Sequence, residues 1–166
     1  MTNLRDKVIE SMQAYCTYLQ PDNKGWDVLE VGIDGDERPG GNYKYFGIGN
    51  NYRTLDFLER LYPDYVADIC DTKMEGGKWD LVILSQTIEH VKEPSRAVTE
   101  CHRLLKKGGY LILDCPFNYP YHGIPDYDDY HRFTHKGLAL LLEQAGFKVL
   151  LNNIYEEVLS SALAIK

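Results

Sequence analysis

The chain has 166 residues, of which 44% are hydrophobic and 26% charged, a composition typical of one ordinary globular domain. Its net charge of −7 argues against a nucleic-acid groove, which needs a basic surface. The four cysteines have no CxxC spacing, which excludes a zinc finger and a dense disulfide framework. Because no apolar run reaches the length of a membrane span and no signal peptide is recognisable, we expect a cytoplasmic protein.

Hydrophobic periodicity divides the chain into alternating helices and strands. Residues 4–19 are amphipathic at helical spacing, and the other predicted helices are 53–61, 94–105 and 138–145, the last after the cap residue Thr134. Short apolar runs predict strands over residues 28–31, 43–48, 65–69, 81–84, 110–113, 147–151 and 159–165.

This alternation predicts an α/β fold, a Rossmann-like three-layer sandwich with a mostly parallel seven-stranded sheet and an antiparallel hairpin at the C-terminal end. We expect one domain over residues 1–166, with an N-terminal helix to residue 20, a core over 26–151 and a last strand over 152–166. Residues 33–42 contain three glycines and a proline, so the first crossover is expected to be an irregular loop without a helix.

A recognisable pattern lies in the second half of the chain. Trp79-Asp80 is followed by Glu89-His90-Val91, by Pro94, and by the segment 100–109, ECHRLLKKGG, before an apolar strand. The order FD-x-V, EH-V-x-x-P, E-x-x-R-L-L-K-x-GG is that of the class I S-adenosylmethionine-dependent methyltransferases of the type 11 kind, which the chain resembles over roughly residues 26–151.

The resemblance implies S-adenosylmethionine as cofactor, bound at the carboxyl ends of the first four strands. Glu30 and Gly32 match the acid-x-Gly pattern after the first strand, whereas Asp34 replaces the next glycine. The family's ribose-binding acid is missing from Gly47-Ile48-Gly49, which predicts weak binding. The residues expected to contact the cofactor are Glu30, Gly32, Asp34, Gly49, Asn50, Asp68, Ile69 and Ser85.

Residues 115–134 are rich in tyrosine, proline, histidine and aspartate, and resemble a subset of the family that acts in saccharide or glycan assembly. We expect this segment to form a wall for a small-molecule acceptor. The candidate substrate-binding residues are Tyr119, Tyr121 and Arg132, and the candidate catalytic residues are His90, His122 and Tyr130. A metal site among His122, Asp126, Asp128, Asp129 and His131 is disfavoured, because no histidine pair has the helical spacing of a metal site.

Two functions stand at this point. The first is methyl transfer from S-adenosylmethionine to a small polar acceptor, in which the protein mainly positions the reactants. The alternative is an inactive methyltransferase-like domain that serves as a binding or assembly module, favoured by the altered cofactor motif. An alternative role for Arg132 is to hold its loop to Asp126 or Asp129. The sequence does not determine the acceptor or the oligomeric state.

Overall fold

The structure is a computed structural model that describes residues 3–19, 24–33 and 40–166. Its helices are α1 (Leu4–Leu19), α2 (Tyr43–Phe46), α3 (Pro94–Leu104) and α4 (His135–Gln144), with short 3₁₀ helices at Glu59–Leu61 and Ile88–His90. The strands are β1 (Asp27–Val31), β2 (Asn51–Asp56), β3 (Tyr65–Val66), β4 (Trp79–Ser85), β5 (Leu105–Pro116), β6 (Lys148–Tyr155) and β7 (Leu159–Ile165).

Within the described residues these strands form one seven-stranded sheet in the order β3-β2-β1-β4-β5-β7-β6. The first five strands in this spatial order, β3, β2, β1, β4 and β5, run parallel to one another. Strand β7 is antiparallel to both β5 and β6. The predicted fold class is therefore confirmed. The strand order reverses between β1 and β4, and ligands bind at such a point, beyond the carboxyl ends of the strands.

Alternating side chains of the central strands fill two hydrophobic layers, one on each face of the sheet. Val82 and Leu84 of β4 pack with α3 and α4, while Leu81 and Ile83 face the opposite side with Met12 and Tyr15 of α1. Because both faces of β4 are covered, its residues from Leu81 to Leu84 are all apolar and buried.

The sequence prediction was wrong between residues 43 and 61. Residues 43–46, predicted as part of a strand, form α2, which buries Phe46 against the α1 side of the sheet. The second strand is Asn51–Asp56, where a helix had been predicted. Tertiary packing overrides local propensity in such short segments. The crossover from β1 to β2 therefore includes a short helix, and the predicted loop 33–42 falls largely on residues 34–39, outside the described part.

Of the helices that the structure describes, none combines the length and apolar character that a membrane crossing requires.

Candidate functional site

A large open cavity lies beyond the carboxyl ends of β1, β2 and β4. Its volume is about 1090 Å³. Its walls come from the ends of these strands, from the segment after β3, from the 3₁₀ helix Ile88–His90 and from the segment that follows β5. Among the described residues, the polar groups that line it include Glu30, Asp56, Asp68, Ser85, Gln86, Thr87, His90, Tyr119, His122, Asp126, Asp128 and Tyr130.

Gly32 at the end of β1 is required by the local geometry. Its backbone φ is +77°, and a Cβ there would collide with the side chain of Thr87. Only glycine adopts this conformation without strain, and it leaves the backbone open to the cavity. Glu30, two residues earlier, is buried and accepts hydrogen bonds from Asn42 N at 3.1 Å, Asn42 Nδ2 at 2.7 Å and the Tyr52 hydroxyl at 2.7 Å. Glu30 therefore fixes the chain beside the cavity.

The acid at the end of the second strand is Asp56, a residue that the sequence analysis missed. Its Oδ2 accepts a hydrogen bond from Ile33 N at 3.0 Å and its Oδ1 accepts one from Leu58 N at 2.8 Å. Asp56 is buried yet lines the cavity. Because β2 had been placed eight residues too early, the family's ribose-binding acid was thought to be missing. The structure does place a carboxylate, that of Asp56, at the end of the second strand.

The positions expected for Gly49 and Asn50 change for the same reason. They precede β2 and lie at the amino edge of the sheet, where Gly25 N donates to Gly49 O at 2.9 Å and Trp26 N donates to Asn50 Oδ1 at 3.0 Å. The structure does not bring them to the cavity, because the segment they were assigned to is a helix and a turn. Asp34 lies outside the described residues.

Asp68, Ile69 and Ser85 reach the cavity as expected. The hydroxyl of Ser85 donates to the buried carboxylate of Asp114, and Gln86 Nε2 donates to the same group at 2.6 Å. Burial raises the pKa of Asp114 to about 6. Gln86 has a positive φ of 50°, an uncommon conformation for a side chain of its kind, directly at the end of β4. The strand end is therefore held in a fixed, strained turn that points at the cavity.

The segment after β5 is fastened to the 3₁₀ helix Ile88–His90. Tyr130 N donates to Glu89 O at 2.8 Å, and His131 N donates to the same oxygen at 3.2 Å. His90 Nδ1 lies 2.6 Å from the carbonyl oxygen of Asp128 and donates to it. These contacts bring His90, His122 and Tyr130, the three candidate catalytic residues, to one side of the cavity.

The side chain of Glu89, which the sequence analysis did not single out as a site residue, is the most unusual group of this region. It is 0% exposed, and within the described part of the chain neither carboxylate oxygen has a hydrogen-bond partner. Burial raises its pKa to about 8. Its Oε1 lies 3.8 Å from His90 Nε2 and 3.9 Å from His122 Nε2. Burial also lowers the pKa of His90.

Arg132 makes the contacts expected of the second of the two roles considered for it, which is to hold its loop to Asp129. Its guanidinium forms a two-pronged ion pair with Asp129, whose side chain is 1% exposed, and it donates to Tyr119 O and Pro120 O. The hydrogen bond from Arg132 lowers the pKa of Asp129 to about 2. Asp126 pairs instead with Arg60.

The tyrosines of the segment after β5 differ in whether they reach the cavity. Tyr119 and Tyr130 line the cavity, whereas Tyr121 is exposed and donates its hydroxyl to Asp128 at 2.7 Å. The candidate acceptor wall therefore consists of Tyr119 and Tyr130, and neither Tyr121 nor Arg132 is among the described residues that line the cavity.

Comparison with known proteins agrees with this geometry. A family model described as a methyltransferase domain matches residues 37–113. A Methanosarcina mazei S-adenosylmethionine-dependent methyltransferase superposes with a TM-score of 0.72 at 18% identity, covering 92% of this chain and 96% of that one. The resemblance to the class I S-adenosylmethionine-dependent methyltransferases is confirmed.

Two further relatives of this methyltransferase fold carry more specific names. A Burkholderia thailandensis 1,6-didemethyltoxoflavin-N1-methyltransferase, solved with bound 1,6-didemethyltoxoflavin and S-adenosylhomocysteine, has a TM-score of 0.69 at 14% identity over 98% of this chain and 86% of that chain. A Pseudomonas aeruginosa ubiquinone biosynthesis O-methyltransferase is 27% identical in an alignment of length 101 that covers 54% of this chain and 44% of that protein. The chain thus spans less than half the length of this curated relative.

The cofactor of this family is S-adenosylmethionine, and the described residues fit it. Gly32 lets the end of β1 pass so close to Thr87 that no side chain fits there, and its backbone lines the cavity, while Asp56 presents a carboxylate at the end of β2. Asp68 and Ile69 follow β3 on the same edge of the sheet. Like a dinucleotide, S-adenosylmethionine needs an acid at a strand end and a glycine turn. Both must lie where the strand order of the α/β sheet reverses.

Proposed function

We propose that this chain transfers the methyl group of S-adenosylmethionine to a hydroxyl of a small polar acceptor, with a saccharide or glycan precursor as the preferred class. The observation that carries this proposal is one continuous cavity with glycine and carboxylates on the cofactor side and histidines with tyrosines on the other. The name of the Pseudomonas aeruginosa relative favours transfer to oxygen, although its identity is low.

Each side of the cavity has its own task in this proposal. On the cofactor side, Asp56 would accept hydrogen bonds from the ribose hydroxyls and Asp68 one from the adenine amino group. The bound cofactor supplies an already activated methyl group, so the protein needs chiefly to align the acceptor oxygen with it. On the acceptor side, Tyr119 and Tyr130 offer aromatic faces against which a sugar ring packs.

His90 and His122 serve the acceptor's hydroxyl proton. In both rings Nδ1 faces an acceptor, Asp128 O for His90 and the Asp129 carboxylate for His122, so Nδ1 carries the ring proton. Nε2 of each ring therefore carries a lone pair, and both residues line the cavity. The acceptor hydroxyl would give its proton to one of these Nε2 atoms as the new carbon–oxygen bond forms and the carbon–sulfur bond of the cofactor breaks.

The direct test is transfer of a tritiated methyl group from S-adenosylmethionine to a panel of monosaccharides, sugar nucleotides and catechols. We expect labelled product with a carbohydrate acceptor, lost in an Asp56→Asn variant and retained in Asp71→Asn, an exposed aspartate outside the cavity lining. Label on a catechol alone would change the acceptor class. Cofactor binding without transfer to any acceptor would favour the non-catalytic binding module.

A further inference from the structure

The cluster formed by Glu89, His90 and His122 has the composition of a metal site. One ligand atom of each residue lies within 4.8 Å of the other two. Two imidazoles with one carboxylate is the ligand set of open, catalytic zinc sites and of related divalent transition metals. The three residues come from the 3₁₀ helix after β4 and from the segment after β5, so the fold brings together groups that are far apart in sequence.

Both histidines are already oriented as metal ligands usually are. His90 Nδ1 donates to the carbonyl oxygen of Asp128 at 2.6 Å. His122 Nδ1 lies 2.9 Å from Asp129 Oδ2 and 3.2 Å from Pro120 O, both nearer than Arg132 Nη2 at 3.4 Å. Each ring therefore holds its proton on Nδ1 and directs the unprotonated Nε2 towards Glu89. Such outer partners fix the tautomer and raise the basicity of the ligating nitrogen.

Glu89 provides a second, independent observation. Its side chain is 0% exposed, and in residues 3–19, 24–33 and 40–166 no donor reaches either oxygen. A buried carboxylate without a partner costs several kcal/mol, which proteins avoid unless another group compensates it. The separations of 3.8 and 3.9 Å from the two Nε2 atoms are too long for hydrogen bonds.

These separations suit a cation lying between the groups. Metal–ligand bonds of about 2.0–2.2 Å place the ligand atoms of a tetrahedral site about 3.3 Å apart. Closing the observed 3.8 and 3.9 Å to that value requires shifts of about half an ångström, and the two histidine nitrogens, which lie within 4.8 Å of each other, approach by at most about 1.5 Å. His90 and His122 also line the cavity, so a cation there would keep an open position towards the acceptor.

We propose that Glu89, His90 and His122 bind one divalent transition-metal ion of the zinc class, with an open coordination position that faces the acceptor. Metal binding at these three residues does not depend on the proposed methyl transfer. Its role rests on that function: a metal ion on the two Nε2 atoms takes the place of the histidines as base, because a coordinated acceptor hydroxyl loses its proton to solvent more readily. The resulting oxygen nucleophile then forms the bond to the methyl carbon while the carbon–sulfur bond breaks.

The test uses the full chain without an affinity tag, stripped with a chelator and titrated with Co²⁺ and with Zn²⁺. We expect one equivalent of Co²⁺ to produce the visible absorption of a low-coordinate ion, and Zn²⁺ to displace it. Glu89→Gln and His122→Ala should each weaken binding by more than about 100-fold, since even outer-shell changes cost 10- to 100-fold. Glu143→Gln and His102→Gln, outside the cluster, should bind as the unmodified chain does.

The absence of heat and of visible absorption at roughly 1 mM Co²⁺ would overturn the proposal, as would stoichiometric binding that persists in both ligand variants. His122→Ala serves if Glu89→Gln does not fold, because His122 lies on a partly exposed segment. S-adenosylhomocysteine binding is measured on the same chelated sample. Cofactor binding without metal binding would remove the metal site alone, and metal binding without cofactor binding would remove the proposed function alone.

Discussion

Three buried glutamates of this fold differ in how their charge is satisfied. Glu30 is 3% exposed and accepts three hydrogen bonds from Asn42 and Tyr52. Glu100 is 8% exposed and accepts from Arg103 Nε at 2.7 Å, from Arg103 Nη2 at 2.7 Å and from Thr72. Glu89 is 0% exposed and has no hydrogen-bond partner among the described residues.

The comparison separates carboxylates that hold the fold from one that does not. Glu30 ties the chain beside the cavity to β1 and β2, and Glu100 ties α3 to the segment before β4. The side chain of Glu89 accepts no hydrogen bond from the described residues, while its position beside two oriented histidines of the cavity wall suits a metal ion. Stability should therefore depend on the first two, and binding on the third.

Removing Glu30 should have the largest effect on stability. Glu30→Ala leaves the Tyr52 hydroxyl and the Asn42 amide buried without an acceptor, which we expect to lower the free energy of unfolding by about 3–4 kcal/mol. Chemical denaturation followed by circular dichroism measures it. Glu59→Ala, on an exposed 3₁₀ helix, is the control and should change stability by less than about 0.5 kcal/mol. Equal effects at the two sites would mean that Glu30 is not the tie described here.

Arg132→Ala tests the same distinction at a fourth buried acid. It leaves the carboxylate of Asp129, 1% exposed, without its ion-pair partner, and we expect a loss of about 2–3 kcal/mol. The matched change Arg60→Ala breaks an exposed pair with Asp126 and should cost less than about 1 kcal/mol. Unchanged melting temperature together with lost methyl transfer would instead place Arg132 in contact with the acceptor.

Glu100 should give the fold an acid-sensitive component. The hydrogen bond from Arg103 lowers its pKa to about 2, below the ordinary value of 4.5. Its contribution is therefore complete above pH 4.5 and is lost as the pH falls towards 2, by about 2 kcal/mol after allowing for the exposure of Arg103. Unfolding measured across this range should show a weaker acid dependence in Glu100→Gln. A parallel dependence in the two proteins would contradict the assignment.

Glu89→Gln should have the smallest effect on the stability of the metal-free chain. Because no donor is lost, we expect the free energy of unfolding to stay within about 1 kcal/mol of the original value, or to rise. Thermal unfolding in the presence of a chelator measures this. A loss of several kcal/mol would show that Glu89 belongs with Glu30 and Glu100.

The parts of the fold that could be predicted from sequence are those with a strong hydrophobic period. The helix over residues 4–19, the strand ending at Ser85, the helix from Pro94, the capped helix after Thr134 and the C-terminal hairpin were all found. In β2 the burial pattern includes Tyr52, Thr54 and Asp56, polar side chains whose burial depends on partners elsewhere. Its neighbour at residues 43–46 looked more strand-like and is a helix. Because the second strand was assigned to residues 43–48, Asp56 was not recognised as the acid at the end of that strand.

The site residues that could be predicted are those that lie in a single segment at the end of a strand. His90 and Ser85 follow a buried strand directly, and the tyrosine-rich segment after β5 leaves the same edge of the sheet, so their approach could be expected. The buried, unpartnered state of the Glu89 carboxylate could not be predicted. It depends on His122, more than thirty residues later, and on the lack of a donor among the described residues nearby. A polar run at the end of an apolar strand was the available signal.

The central claim is that the carboxyl edge of this sheet still holds a competent cofactor site. Calorimetric titration with S-adenosylhomocysteine tests it most directly, with Asp56→Asn beside the unmodified chain and Asp71→Asn as control. Since Asp56 supplies the acid, we expect a dissociation constant of about 10 μM or tighter, weakened about 10- to 100-fold in Asp56→Asn. No binding at millimolar ligand, or equal binding in all three proteins, would contradict the account.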